Sequence, residues 1–385
     1  MKLADTSSCC GCGACSNICA KKAIQMQSDE EGFLYPVVNE DLCVDCGLCV
    51  SVCPANMDKE ILRQPISSYA AWNKDENVRF ESSSGGMFSV IAENILDRGG
   101  VVYGAAWKDG LKLSHVGVER KEQLGSLRGS KYIQSDMGNC YSEIQNHLRK
   151  DRWVFFCGTP CQVAALQLFL RKEYDKLVTV DFVCHGVPSQ KVFDAFLSDV
   201  EKRRGVRLDR YNFRDKRVNG WSVSTTSSGL VMGSGKRKDI MYDIAMSSYM
   251  NAFLLGKMSR MSCYSCAFSQ KKRCSDFTLG DYWGVRNVFP QMQDVAKGVS
   301  MLFVNTEKAH SFMDQIAEKS ELIKSSVDEI AAYNANLNQP THRPQSRNNL
   351  KSLFLGQDYI KENIPSTYNR DLLKFYIKRL LRFYK

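Results

Sequence analysis

Eight cysteines near the N terminus stand at intervals that suit iron better than disulfides. Cys9, Cys12, Cys15 and Cys19 form one C-x2-C-x2-C-x3-C run, and Cys43, Cys46, Cys49 and Cys53 form a second, followed by Pro54. A short loop of this spacing wraps one 4Fe–4S cube with three thiolates, while the fourth cysteine ligates the other cube. The spacing therefore assigns Cys9, Cys12, Cys15 and Cys53 to cluster one, and Cys43, Cys46, Cys49 and Cys19 to cluster two. Neighbours three residues apart make a poor disulfide framework. Two zinc knuckles are the competing reading, and they give no reason for the matched length of the runs. Ala20 stands where proline commonly follows the fourth cysteine; proline shapes that loop and donates nothing to iron. Cys10 is out of register and is read as a non-ligand. The first sixty residues are thus expected to be a bacterial-ferredoxin-like module for electron transfer.

Four further segments carry chemistry. Cys263 and Cys266 form a C-x2-C pair, with Cys274 eight residues on. Cys161 follows Thr159-Pro160 at the expected start of a helix, where free N–H groups and the helix dipole favour a thiolate. Cys184-His185-Gly186 is expected at a strand end, where open α/β sheets place ligands. Ser82–Gly86 precedes a helix, and such a loop can offer amides to a phosphate. Each has a plain alternative: a zinc half-site, a packed buried thiol, a simple helix cap. In a chain that already holds clusters, Cys161, Cys184, Cys263 and Cys266 together could supply the four thiolates of a third.

These residues need elements to hold them. Residues 58–68 read as a linker. Ser84–Arg98 has helical periodicity, stopped by Gly99-Gly100. Val101–Trp107, Trp153–Cys157 and Leu177–Val183 read as strands. Asn139–Lys150, Thr159–Leu170, Pro188–Arg204, Asp243–Lys257 and Glu307–Ser320 read as helices, and Tyr211–Gly235 as short strands and turns. Cys263–Gly284 reads as a loop, as does Asn334–Asn349. Strands of continuous apolar residues alternating with helices predict a parallel or mixed sheet covered by helices. The expected fold class is α+β or α/β multidomain, the module followed by that sheet.

The 385 residues suit two or three domains. Met1–Ser8 has no signal-peptide pattern, and no apolar stretch is long enough to cross a membrane, so the cytoplasm is expected. The formal net charge of +10 could suggest nucleic acid. Half of the excess lies in Arg370–Lys385, with six basic side chains and one acidic. Three clusters at about −2 each would lower the total to roughly +4, so nucleic-acid binding is not expected. On a helical projection, Arg370, Lys374, Lys378, Arg382 and Lys385 face away from Leu372, Leu373, Phe375, Tyr376, Leu380, Phe383 and Tyr384. That amphipathic pattern suits docking on the core, a partner, or peripheral contact with an anionic membrane.

The segments GSKYIQS (129–135), FCGTPCQV (156–163), VCHGVPS (183–189) and CSDFTLGDYWG (274–284) resemble the family of coenzyme F-420 hydrogenase/dehydrogenase beta subunits. The resemblance runs from the module to about residue 345. It implies a flavin-binding catalytic region behind the two-cluster module: 1–60 the module, 69–150 and 151–345 the two parts of that region, and 350–385 a tail. It implies FAD near Ser84, Gly85, Gly86, Gly129, Ser130, Lys131 and Tyr132, and near the turn of Gly280, Asp281 and Gly284. It matches Cys161, Cys184, Cys263 and Cys266 to the family's own 4Fe–4S cluster, with Cys274 as the alternative to Cys184.

The expected function is an iron–sulfur flavoprotein oxidoreductase. Electrons would pass singly along the clusters, and FAD would exchange them as a hydride with coenzyme F-420 or another small molecule. Lys131 and His185 are candidates for stabilising flavin charge or moving a proton; ordinary hydrogen bonding is their plain reading. A redox partner protein is expected. The main rival is an electron-delivery subunit with catalysis in a partner; a redox or metal sensor without flavin is a second.

Overall fold

The computed structural model describes residues 3–57, 61–241 and 247–347. The tail 350–385, with its expected helix and membrane contact, lies outside the described residues. In the module, β1 (Ile24–Ser28) and β2 (Leu34–Val38) form an antiparallel hairpin between the cysteine runs. Asp29 Oδ1 closes its turn by accepting the N–H groups of Glu31 and Phe33 at 3.0 and 2.8 Å. Each run ends in a short helix, Ala14–Ile18 and Leu48–Ser51.

The remainder is organised by one mixed sheet. Its strands are β3 (Ser67–Asn73), β4 (Val101–Lys108), β5 (Lys112–Val118), β6 (Val154–Cys157) and β7 (Leu177–Phe182). A smaller antiparallel sheet holds β8 (Val206–Asn212), β9 (Thr226–Val231) and β10 (Arg237–Met241). β11 (Phe277–Asp281), β12 (Ser300–Val304) and β13 (Ser320–Ser325) return to the large sheet. Its order is β13-β3-β12-β11-β7-β6-β4-β5. β4, β6, β7 and β11 run parallel; the flanking pairings are antiparallel. The central strands are largely apolar because helices cover both faces, with Thr179, Asp181 and Thr278 as buried polar exceptions. Phe155 packs on one face with the helix Met87–Leu96. Phe156 packs on the other with the helices Cys140–Arg149 and Pro160–Leu170. Cys12, Ala14 and Val52 of the module join that second layer, so the first cysteine run packs against the sheet's covering helices.

The mixed sheet and ferredoxin-like module agree with the expected fold class. Residues 69–150 and 151–345 share a single sheet, since β3 lies between β12 and β13. Several local readings need correction. The expected linker 58–68 already contains the start of β3. The expected loop Cys263–Gly284 contains β11, a short strand hidden by polar flanks. Glu307–Ser320 is two helices, Glu307–His310 and Met313–Lys319. The helix expected from Ser84 starts at Met87, after a Gly86 with φ +86°. Among the described residues no helix is long and apolar enough to cross a membrane.

Candidate functional site: cluster loops and a shared cavity

Gly13 and Gly47, both at positive φ, precede the two module helices. They let each cysteine loop turn back and leave its next thiol on the first helical turn. Thiols of the two runs lie near one another. Burial pushes the Cys15 thiol up to about 12, with Cys9 and Cys53 adjacent. Burial also raises Cys53, beside Cys9, and Cys49, beside Cys46 and Cys19. Thiols held protonated in this way lose the proton when iron supplies the compensating charge.

Arg260 joins module to core. It is fully buried. It donates to Cys9 O (2.7 Å), Leu34 O (2.7 Å) and Gln134 Oε1 (3.0 Å), and its Nη2 lies 3.8 Å from Cys9 Sγ. Its guanidinium stacks 4.1 Å above the Tyr35 ring. Gly11 has φ +64°, and a Cβ there would stand 2.6 Å from Arg260 Nη1, so only glycine allows this approach. No carboxylate among the described residues is within ion-pair reach of Arg260. A second clasp pairs Arg347 with Glu31 of the hairpin turn at 2.6 and 2.9 Å.

A cavity of about 640 Å³ opens at the C-terminal ends of β6 and β7, the usual ligand position in such sheets. Cys161, Cys184, Cys263 and Cys266 all line it, and so does Cys10. Cys161 sits on the first turn of Pro160–Leu170, whose cap is reciprocal between Thr159 and Gln162. The Thr159 hydroxyl lies 3.1 Å from Cys161 Sγ. A hydrogen bond with the Cys10 thiol, together with burial, holds Cys161 well above the usual thiol range. Burial and the neighbouring Cys263 and Cys161 do the same for Cys184. Burial pushes Cys263 up to about 12, next to Cys266 and Cys161. The neighbouring Cys12 thiol, with burial, likewise holds Cys10 well above the usual thiol range. Cys274 is buried, does not line the cavity, and points its Sγ at Pro160 O, 3.5 Å away.

The residues matched to flavin converge on the same cavity in part. Ser84, Gly86, Gly129, Ser130, Lys131, Tyr132, Gly280 and Asp281 line it; Gly85 and Gly284 do not. The Gly85 amide donates to Ser300 Oγ at 2.9 Å, and the Ser130 amide to Ser83 Oγ at 2.6 Å. Gly284 lies under the Tyr333 ring, where a Cβ would come within 2.2 Å. Its role is therefore a close approach, not a wall. Lys131 Nζ donates to the carbonyls of Leu127, Arg128 and Gly129 at 2.8–3.2 Å. Burial pulls its pKa down to about 7. His185 lines the cavity, yet both ring nitrogens are engaged, with Asn336 Oδ1 at 2.8 Å and Leu254 O at 3.0 Å.

Three residues in or beside the cavity had no local signal in the sequence. Arg214, almost wholly buried, grips Asp281 with two bonds of 2.6 and 3.1 Å and also donates to Tyr132 Oη and Ser83 O. It thereby ties the flavin-matched segments around Ser83, Tyr132 and Asp281 together. Burial opposes its charge, and Asp281 outweighs burial, so its pKa rises. Trp221 donates to the same carboxylate at 2.6 Å and stacks on Trp283. His115 is held between Cys157 O (3.0 Å) and Ser135 Oγ (2.8 Å). Burial drops its pKa to about 4, which keeps it neutral near pH 7.

Comparison with known proteins places these features in a family. Residues 8–57 match the 4Fe-4S dicluster domain. Residues 68–140 match the N-terminal model of the coenzyme F420 hydrogenase/dehydrogenase beta subunit, and residues 151–330 match the C-terminal model. One of the F(420)H(2) dehydrogenase subunits of Methanosarcina mazei is 22% identical over 185 residues, covering 45% of this chain and 51% of that protein. The chain thus spans about half the length of that relative. An uncharacterised ferredoxin of Methanocaldococcus jannaschii is 33% identical over 54 residues, covering 14% of this chain and 69% of the ferredoxin. A chain of the F420-reducing [NiFe] hydrogenase complex from Methanosarcina barkeri superposes with a TM-score of 0.46 at 15% identity, covering 83% of this chain and 94% of that one. The two halves of one family model follow each other in order, directly behind the dicluster module, and this iron–sulfur electron-transfer protein belongs to the family of coenzyme F420 hydrogenase/dehydrogenase beta subunits.

Proposed function

We propose that the chain is a flavin-dependent iron–sulfur oxidoreductase of the cytoplasm. Its electron path would run from cluster two to cluster one, on to a third cluster at Cys161, Cys184, Cys263 and Cys266, and then to FAD. One observation carries the reading: the four thiols and the Ser84, Gly86, Gly129–Tyr132 and Gly280-Asp281 segments open into one cavity. Its size falls within the range of cofactor sites. FAD, when bound, exchanges single electrons on one side and a hydride on the other. The chain's own residues would supply the setting. Arg214 fixes Asp281 and Tyr132 as one rigid wall. Lys131, with a pKa of about 7, could hold or release a proton at the cavity wall on giving up one of its three bonds to backbone carbonyls. His185, with both nitrogens engaged, is better suited to shaping the wall. Coenzyme F-420 is the proposed hydride partner, on the strength of the family and the dehydrogenase relative, and a redox protein is the proposed second partner.

The engaged amides of Gly85 and Ser130 favour a second reading, an electron-delivery subunit whose catalytic centre lies in a partner, because they leave fewer free donors for a phosphate. Anaerobic purification with iron, sulfide and flavin analysis separates the two. The first reading expects about twelve irons and one FAD per chain, with turnover by the isolated chain. Iron near eight would remove the third cluster. Absence of flavin after soaking with FAD would reject the flavoprotein.

A further inference from the structure

The module presents an acidic, partly apolar tip to solvent at cluster two. Residues 23–57 contain Asp29, Glu30, Glu31, Glu40, Asp41 and Asp45 and not one lysine or arginine, in a chain whose net charge is +10; the exposed Lys21 and Lys22, next to Cys19, precede that stretch and leave its acidic excess in place. Between 37 and 46, Glu40, Asp41, Asp45 and Cys46 are exposed, and so are Val37, Leu42 and Val44, at 44%, 49% and 61%. The opposite side of the module is buried: Cys9 and Cys12 face the core, under Arg260. A bound cluster two adds about two further negative charges at the tip. Exposed apolar residues beside polar and charged ones suit a protein contact, and an excess of negative charge favours a partner of opposite sign.

Resting on the electron path proposed above, we propose that residues 37–46 are the docking face for an electron-carrier protein with a basic rim around its exposed redox centre. In each encounter the carrier loses one electron and cluster two gains it, or the reverse. No bond forms and no proton moves. Val37, Leu42 and Val44 provide the dry contact, and Glu40, Asp41 and Asp45 steer the approach.

The test uses the full, anaerobically reconstituted chain and mitochondrial cytochrome c, a basic protein with an exposed haem edge. Two readouts are taken: co-sedimentation at the haem absorbance, and the second-order rate of haem reduction by the pre-reduced chain. The expected result is binding at low salt and a rate that falls about tenfold or more as salt rises to about 0.5 M. Ferricyanide, a small anion, should show the opposite salt trend. The triple variant E40K/D41K/D45K should lose binding and at least about tenfold in rate with cytochrome c, while keeping its iron. The isosteric E40Q/D41N pair should lie between. Unchanged binding and rate in both variants would overturn the docking face. Salt-dependent dimers of the chain alone that vanish in E40K/D41K/D45K would reassign the face to a second copy and also overturn it. Neither readout needs flavin, so failure of the flavoprotein reading is seen separately in the FAD analysis.

Discussion

Replacing Arg260 with methionine should lower the reduction potential of the clusters it faces. The guanidinium is buried without a carboxylate, an arrangement too costly to persist unless something nearby is negative. Its Nη2 lies 3.8 Å from Cys9 Sγ, and it also acts electrostatically on Cys161 and Cys263. Thiolate cubes held at Cys9 and Cys161 would supply the missing countercharge. Were a cluster held by Cys9, a charge separation of about 7 Å and an effective dielectric constant of about 20 would give each electron added there roughly 2 kcal/mol from the guanidinium. For a one-electron couple that equals about 100 mV. Arg260→Met should shift cluster one down by about 50–100 mV, shift the Cys161 cluster less, and leave cluster two nearly unmoved. Arg260→Lys, which keeps the charge, should restore most of the potential. Anaerobic redox titration followed by electron paramagnetic resonance reads all three. If the methionine variant keeps its iron and its potentials, or if all clusters shift equally, the counterion argument is wrong.

Cys161→Ala and Cys184→Ala should each lose about four irons per chain, whereas Cys274→Ala keeps them; iron loss only in the last would exchange the roles of Cys184 and Cys274. Lys131 loses its proton as pH rises through about 7, so FAD affinity, measured by flavin fluorescence quenching, should fall as pH goes from 6 to 8, by up to about tenfold. Lys131→Met should bind weakly and with a flat profile; an equally steep profile in that variant would exonerate Lys131. Asp281→Asn strands the buried Arg214 and should cost about 3–5 kcal/mol, read as a lower denaturation midpoint, with FAD affinity falling in step. An unaltered midpoint would show that the pair bears little of the wall.

The cluster loops were legible in the sequence because ligand chemistry fixes their spacing locally: a cube takes three cysteines at three-residue steps from one loop, whatever surrounds them. The helix start at Thr159 was legible for the same reason, since the partner of its cap lies three residues on. Arg260 and Arg214 were not. Their partners, Cys9 and Asp281, lie 251 and 67 residues away, and nothing near either arginine distinguishes it from a surface one. β11 was hidden because its five residues are short and polar at one end, and its strand character comes from β7 and β12 on either side. Gly85 carries the same lesson in reverse: its Ser/Gly context suggests a phosphate loop, while its amide is spent on Ser300, a residue 215 positions later.

The place of β3 in the large sheet has a consequence for how the chain is made. β3 is residues 67–73, and its two neighbours are residues 300–304 and 320–325. At about 5–20 residues per second, a ribosome that has just finished β3 needs roughly 10–50 s more to supply both. During that interval the strand has two unpaired edges, a liability in any nascent chain. The cysteine runs, complete by Cys53, face no such delay and can meet iron while the rest is still being translated. Cluster insertion early and sheet closure late would also place Arg260 into a pocket whose negative charge is already waiting.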